Sequence, residues 1–134
     1  MLNMCIFCEI IKGNIPSKKI YEDNDTVAIL DISQITKGHT LILPKKHYDN
    51  MLTIDEKDLQ NVIKTAKKVT SMINNAYKPL GFNIINNCGE AAGQTVMHYH
   101  MHVIPRYSNE DLVMQHADNT NKFDLDQIAK DIKG

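Results

Sequence analysis

Neither sign of charge is in excess along this chain. Its 15 lysines and arginines stand against 16 aspartates and glutamates, and the formal net charge is −1. No block of like charge occurs, so nothing advertises a nucleic-acid or membrane surface. That balance leaves room for a small nucleotide, which needs a local pocket and not a basic face. Nor is a leader expected: residues 1–11 have no basic start, carry Glu9 early and hold no long apolar stretch, which argues against a signal peptide. No apolar run approaches the roughly 20 residues that span a bilayer. The expectation is a cytoplasmic protein without membrane association. Cysteine is scarce, at three residues, and internal repeats and low-complexity runs are absent. At 134 residues the chain makes one domain, 1–134, large enough for a core without staples.

What the sequence does have is histidine in one place. Three of its six histidines fall in the run Met97-His98-Tyr99-His100-Met101-His102-Val103-Ile104-Pro105. Tyr99, Val103 and Ile104 suit a pleated strand, and Pro105 ends it. Read as a strand, the run puts His98, His100, His102 and Ile104 on one face and Met97, Tyr99, Met101 and Val103 on the other. The apolar face can lie on a core while the imidazoles line a site. Neighbouring rings would stand roughly 6.6 Å apart, a spacing that suits different tasks in a row better than joint capture of one ion. A lone histidine is usually a packed or solvated residue; three on one face point to metal binding or acid–base work.

The remaining elements follow from period and punctuation. Residues 4–12 read as a short helix or turn closed by Gly13. Lys19–Glu22 and Thr26–Leu30 read as strands joined by the turn residues Asp23-Asn24-Asp25, hence a hairpin. Thr40–Leu43 is a third strand, stopped by Pro44. Thr53-Ile54-Asp55-Glu56 fits a capping box. It opens a long helix whose stripe of Leu59, Val62, Ile63, Ala66, Val69, Met72, Ile73 and Ala76 is expected in the core. Residues 81–87 form the fourth strand and 88–95 a loop with two glycines. Residues 107–120 are polar and irregular, and 123–132 can form a short helix. With so few helices between strands, the expected class is α+β: an antiparallel sheet of about five strands, one long helix packed on it, and a short N-terminal helix. The core would span residues 5–106, with a tail over 107–134.

Two kinds of chemistry are open to these residues. Cys5 and Cys8 form a C-x-x-C, which in a reducing compartment is a metal half-site or a redox pair more often than a structural disulfide. The N-terminal position of the pair favours metal over a thioredoxin-like use. His47 and His98 can complete a zinc set, although His39, His100 and His102 compete for that place. Two buried, inert thiols are the plain alternative. Separately, a neutral imidazole is a good nucleophile near pH 7, and attack on phosphorus would give a phosphoramidate adduct that water resolves. His100, flanked on both sides, is the best candidate, with His102 orienting the ring or polarising a phosphate oxygen. Gly89 and Gly93 let backbone approach an anion, and Gln94 and Thr95 can add donors. A catalytic zinc held by His98, His100 and His102 is the rival enzyme reading, which chelation would separate from the first.

The run from His98 to Ile104 matches the pattern His-φ-His-φ-His-φ-φ, where φ is apolar or aromatic. On it, and on Cys5/Cys8, Asp31-Ile32-Ser33, Gly38-His39, residues 43–47, Asn87 and Gly93-Gln94-Thr95, the chain resembles the histidine triad (HIT) family, in its Hint-like branch. The resemblance implies a HIT-like fold and a homodimer whose sheet continues between subunits. It implies a nucleotide-binding hydrolase or transferase acting at the α-phosphate of purine nucleoside phosphoramidates or related conjugates, through a nucleotidyl adduct on His100. By the same carry-over Asp31 holds the ribose hydroxyls and Ile32 lines the base pocket. Asn87, Gly93, Gln94 and Thr95 hold the phosphate, while His102, with His39 behind it, supports the catalytic ring. In zinc-carrying relatives the first triad histidine is a ligand, which implies a structural zinc on Cys5, Cys8, His47 and His98. Thr95 stands where many relatives carry serine and keeps the hydroxyl. A dinucleoside polyphosphate hydrolase and a non-catalytic nucleotide-binding module are the alternatives within the same fold.

Overall fold

The structure, a computed structural model, describes residues 4–134. Residues 1–3, where the segment read as lacking a signal peptide begins, lie outside the described residues. Eight α or β elements follow in the order α1 (Ile6–Lys12), β1 (Lys19–Glu22), β2 (Thr26–Leu30), β3 (Thr40–Pro44), α2 (Glu56–Tyr77), β4 (Gly81–Ile85), β5 (Met101–Arg106) and α3 (Leu125–Lys133). The five strands form one antiparallel sheet in the order β1-β2-β3-β5-β4. The β1–β2 hairpin turns as its sequence asks: the Asp23 carboxylate accepts from the backbone N–H groups of Asp25 and Thr26, both at 2.8 Å.

The sheet is covered on both faces, which is why β2 and β3 are buried along nearly their whole length. On one face Val62, Ala66, Val69 and Ile73 of α2 pack on Ala28, Ile42, Tyr99, Met101 and Val103. On the other, Phe7 and Ile10 of α1 pack on Val27, Ile29, Leu41 and Leu43. α1 is closed by Gly13, whose φ of 85° is a left-handed conformation that glycine adopts freely. The α1 layer shares its face of the sheet with the histidines.

Several elements depart from the sequence reading for local reasons. The N-cap of α2 is Asp55, whose side chain accepts from the Lys57 N–H, and not Thr53, which is spent on a turn with Asn50. The stripe of α2 is also narrower than expected, since Ile63, Met72 and Ala76 are exposed. The histidine strand begins at Met101 and not at Met97. Upstream of it the backbone is claimed by other partners: Tyr99 N–H donates to the Tyr48 carbonyl at 2.6 Å, and the His100 carbonyl accepts from the Asn86 side chain at 2.9 Å. The fourth strand correspondingly stops at Ile85, opposite His102. Pro105 does not end β5, because β3 pairs only as far as Val103 and a missing N–H beyond that point removes no ladder bond on the β3 side. No helix among the described residues is long and apolar enough to cross a membrane.

Candidate functional site

Alternation through the histidine run survives the late start of the strand. Tyr99, Met101 and Val103 join the α2 core, and His98, His100 and His102 turn to the opposite face. Met97, expected beside them on the apolar face, is exposed. The three imidazoles do not converge on a common point, which removes the geometric basis for a three-histidine catalytic metal. They hold three different positions.

His98 lies deepest. Its Nε2–H donates to the Pro44 carbonyl at 2.9 Å, which leaves Nδ1 with a free lone pair. That nitrogen stands 3.4 Å from Cys5 Sγ and 3.5 Å from Cys8 Sγ. His47 repeats the arrangement: its Nδ1 is 3.3 Å from Cys8 Sγ, and its Nε2 is 3.0 Å from the Asp49 carboxylate. One donor atom from each of Cys5, Cys8, His47 and His98 falls within 4.8 Å of the others. Tetrahedral zinc bonds imply ligand–ligand edges of about 3.3–3.8 Å, so this donor set suits such an ion. Outer nitrogens tied to a carbonyl and a carboxylate are also what ligating histidines require. Burial pushes His98 down to about 4 and the Cys8 thiol up to about 11.

His100 sits between. Its Nδ1–H donates to the His98 carbonyl at 2.7 Å, so Nε2 is the unprotonated nitrogen. The Phe7 ring meets it edge-on, with centroids 5.0 Å apart. Burial holds His100 below the ordinary histidine range and hence neutral at pH 7, although the Asp31 charge works against the shift. Together with His102 it lines a cleft of about 280 Å³ that also includes Phe7, Asp31, Ile32 and Thr95.

His102 is oriented from behind. The Ile35 N–H donates to His39 Nδ1 at 3.2 Å, so the His39 proton is on Nε2. That N–H is 2.9 Å from His102 Nδ1 and 3.6 Å from Asp31 Oδ2. His102 Nδ1 is therefore an acceptor, and its proton belongs on Nε2. Asp31, His39 and His102 bring a second group of donor atoms together. The 2.9 Å separation and the forced tautomer identify a hydrogen-bonded relay, not a ligand set. Burial pushes His102 down to about 4 and lowers His39 as well.

The loop residues divide. Thr95 is exposed and lines the cleft. Asn87 Nδ2 lies 3.5 Å from the Gly93 carbonyl, and Gly93, at φ 95°, takes a conformation that a side chain would strain. Gln94, expected among the phosphate contacts, is buried with its amide fully used: it accepts from Gly89 N–H and donates to the carbonyls of Asp49 and Val96. It braces the loop. Ile32 is fully exposed at the cleft rim. Phe7, the Pro44 carbonyl and Asp49 escaped the sequence reading. Only Asp49 had a signal, as a carboxylate two residues from a candidate histidine ligand.

Comparison with known proteins places this geometry. The HIT domain model matches residues 12–109. The chain is 46% identical over 132 residues to protein hit of Bacillus subtilis, covering 96% of this chain and 91% of that one. It is 39% identical to the adenosine 5′-monophosphoramidase hnt1 of Schizosaccharomyces pombe (79% and 77% covered) and 37% identical to the adenylylsulfatase HINT3 of Arabidopsis thaliana (97% and 66% covered). Among solved structures, a HIT family protein of Bacillus anthracis superposes with a TM-score of 0.92 at 39% identity, covering 99% of this chain and 97% of that one. A Zn-bound histidine triad family protein of Mycobacterium smegmatis gives 0.78 at 33%, covering 88% and 86%.

Proposed function

Because the chain belongs to the HIT family, we propose that it is a nucleotidyl hydrolase that splits purine nucleoside phosphoramidates at the α-phosphate through a covalent adduct on His100. The observation that carries this reading is the His98 carbonyl on His100 Nδ1, which leaves a neutral Nε2 lone pair in the cleft. In the first step Nε2 bonds to phosphorus while the phosphorus–amine bond breaks. The amine nitrogen leaves with the electron pair and takes up one proton. In the second step water splits the phosphorus–His100 bond, its oxygen going to phosphorus, and releases the nucleoside monophosphate, the neutral imidazole and one proton to solvent, which balances the proton that the departing amine took up. His102 Nε2–H donates to a phosphate oxygen; Asp31 receives the ribose hydroxyls, Ile32 covers the base, and Asn87, Gly93 and Thr95 hold the phosphate. The names of the fission-yeast and plant relatives support both the reaction class and a nucleotide substrate.

The same reading puts a structural zinc on Cys5, Cys8, His47 and His98, supported by the donor geometry and by the Zn-bound relative. It also makes the protein a cytoplasmic homodimer. Free thiols fit that compartment. β4 is an edge strand, Gly81-Phe82-Asn83-Ile84-Ile85, with no charge or proline to block pairing, and its exposed Ile84 lines one surface hollow with the exposed Ile63 of α2, as a sheet continued into a second copy would need. The deciding experiment is hydrolysis of adenosine 5′-phosphoramidate. His100→Gly is expected to lower the rate at least about a thousandfold while adenosine monophosphate still binds, and a nucleotidyl mass should be trapped on the wild-type protein alone. Turnover by His100→Gly near the wild-type rate would refute the mechanism.

A further inference from the structure

On the α2 face of the sheet, opposite the histidines, lies a cavity of about 300 Å³. Buried Ile73 and Thr40 line it together with the more exposed Leu30, Met72 and Tyr77, and Gln34, Lys37 and Gly38 form its rim. That rim is built to one shape. Gly38 takes φ 100°, and a Cβ there would come within 3.3 Å of Pro105 and 3.5 Å of Tyr77. The Tyr107 hydroxyl donates to the Lys37 carbonyl at 2.6 Å. Gln34 spends its whole amide on the same segment: Nε2 donates to the carbonyls of Asp31 and His39, and Oε1 accepts from Gly38 N–H. Thr40 Oγ1 donates to the Gly38 carbonyl. One polar side chain of the lining is left unspent, the Lys37 ammonium. It stands 4.5 Å from the centre of the Tyr77 ring and enters no ion pair among the described residues. No carboxylate among the described residues lines the cavity. An apolar hollow with a single cation at its rim suits an apolar body carrying one negative head. A polyanion would hold its further charges over hydrocarbon. The volume holds roughly ten non-hydrogen atoms, each at the share a water molecule takes. A sheet continued through β4 would leave the cavity open, because it borders β1, β2 and β3 at the other end of the strand order.

We propose that this cavity is a second ligand site, separate from the histidine cleft, and that it takes a small free carboxylate with an apolar body, of the size of a medium-chain fatty acid. Gln34 lines the cavity and also holds the Asp31 and His39 carbonyls, so a bound carboxylate bears on the segment that orients His102. Such a site exists whether or not His100 attacks phosphorus. It is tested by titrating the full chain with octanoate and with octylammonium while following backbone ¹⁵N and methyl ¹³C spectra. Octanoate should saturate below roughly 10 mM, shifting Met72, Ile73 and Ala76 together with Gln34 and Gly38. It should bind about fivefold or more tighter than octylammonium, the scale of an exposed charge pair gained in one case and opposed in the other. Lys37→Glu, at an exposed side chain, should invert that order. Met72→Asp sets a like charge in the wall and should weaken octanoate about fivefold or more. Failure to saturate, shifts confined to Ile6, Phe7 and Val96 of the histidine cleft, or an unchanged order in Lys37→Glu would overturn the assignment. So would a fall in the molecular mass of Met72→Asp by light scattering, which would show that a second copy covers this face.

Discussion

The relay behind His102 makes a sharp demand on a single proton. His39, 1% exposed, receives the Ile35 N–H on Nδ1 and presents Nε2–H to His102 Nδ1 at 2.9 Å. In His39→Ala that donor is gone, and the His102 proton is free to sit on either nitrogen. The Nε2–H offered to phosphate is then no longer enforced. A hydrogen bond to a charged acceptor contributes about 1.5–3 kcal/mol net. At about 1.4 kcal/mol per tenfold in rate, kcat/KM for adenosine 5′-phosphoramidate should fall roughly 10- to 100-fold. The substitution also strips the Ile35 N–H of its acceptor and opens a cavity at the buried His39 site, so stability should drop by about 2–4 kcal/mol, and rates must be normalised to folded protein. His39→Gln keeps an amide donor in place of Nε2–H and should recover part of the rate. The direct assay is the ¹⁵N spectrum of the His102 ring. The wild type should show Nδ1 bare and Nε2 protonated, whereas His39→Ala should show exchange between tautomers. A wild-type His102 protonated on Nδ1, or a His39→Ala enzyme within threefold of wild type, would refute the relay.

Two further outcomes follow from the same imidazoles. His98 and His102 are each held down to about 4 by burial, against about 6.5 in an unfolded chain. In metal-free protein their contribution to stability is therefore full above pH 6.5 and lost as pH falls toward 4, because the unfolded state takes up protons that the fold refuses. Each site removes up to about 1.4 kcal/mol per pH unit inside that window, so the unfolding free energy from urea titrations should drop by about 2–3 kcal/mol between pH 6 and pH 5. A protein more stable at pH 5 than at pH 7 would contradict this. Zinc at a thousandfold excess over its dissociation constant stabilises by about 4 kcal/mol, so chelation should lower Tm by about 10 °C or more. Cys8→Ser should abolish equimolar zinc in elemental analysis, and coincident melts with and without chelator would remove the structural metal.

Legibility in the sequence followed locality. The β1–β2 hairpin could be read to the residue, because Asp23 carries its own turn chemistry. The sharing of one face by His98, His100 and His102 was equally readable, since period 2 is a property of extended backbone whether or not a ladder forms. What failed depends on distant partners. The start of β5 is set by Tyr48 and Asn86, which take backbone groups that a strand would use. Gln94 looked like a phosphate donor because side-chain chemistry alone cannot reveal that Gly89, Asp49 and Val96 consume it. Ile63 and Met72 carry the period of a core stripe yet stay exposed, which an isolated amphipathic pattern does not distinguish from burial against a second copy.

The triad segment also joins two centres that its sequence keeps apart. The His98 ring faces the cysteines, and its carbonyl, on the same residue, fixes the tautomer of His100. Phe7, flanked by the two cysteines, packs on both rings, with centroids 6.0 and 5.0 Å away. Anything that tightens the four-residue cluster therefore steadies His100, the proposed nucleophile, without touching phosphorus. The consequence is graded. Loss of metal should reduce the rate through a looser His100, and substrate should partly restore it by occupying the cleft. Loss of His100 itself should abolish turnover at any metal load. A catalytic metal would reverse that order, with activity following occupancy one for one, so rate plotted against bound zinc distinguishes a ligand set that holds the nucleophile from one that performs the reaction.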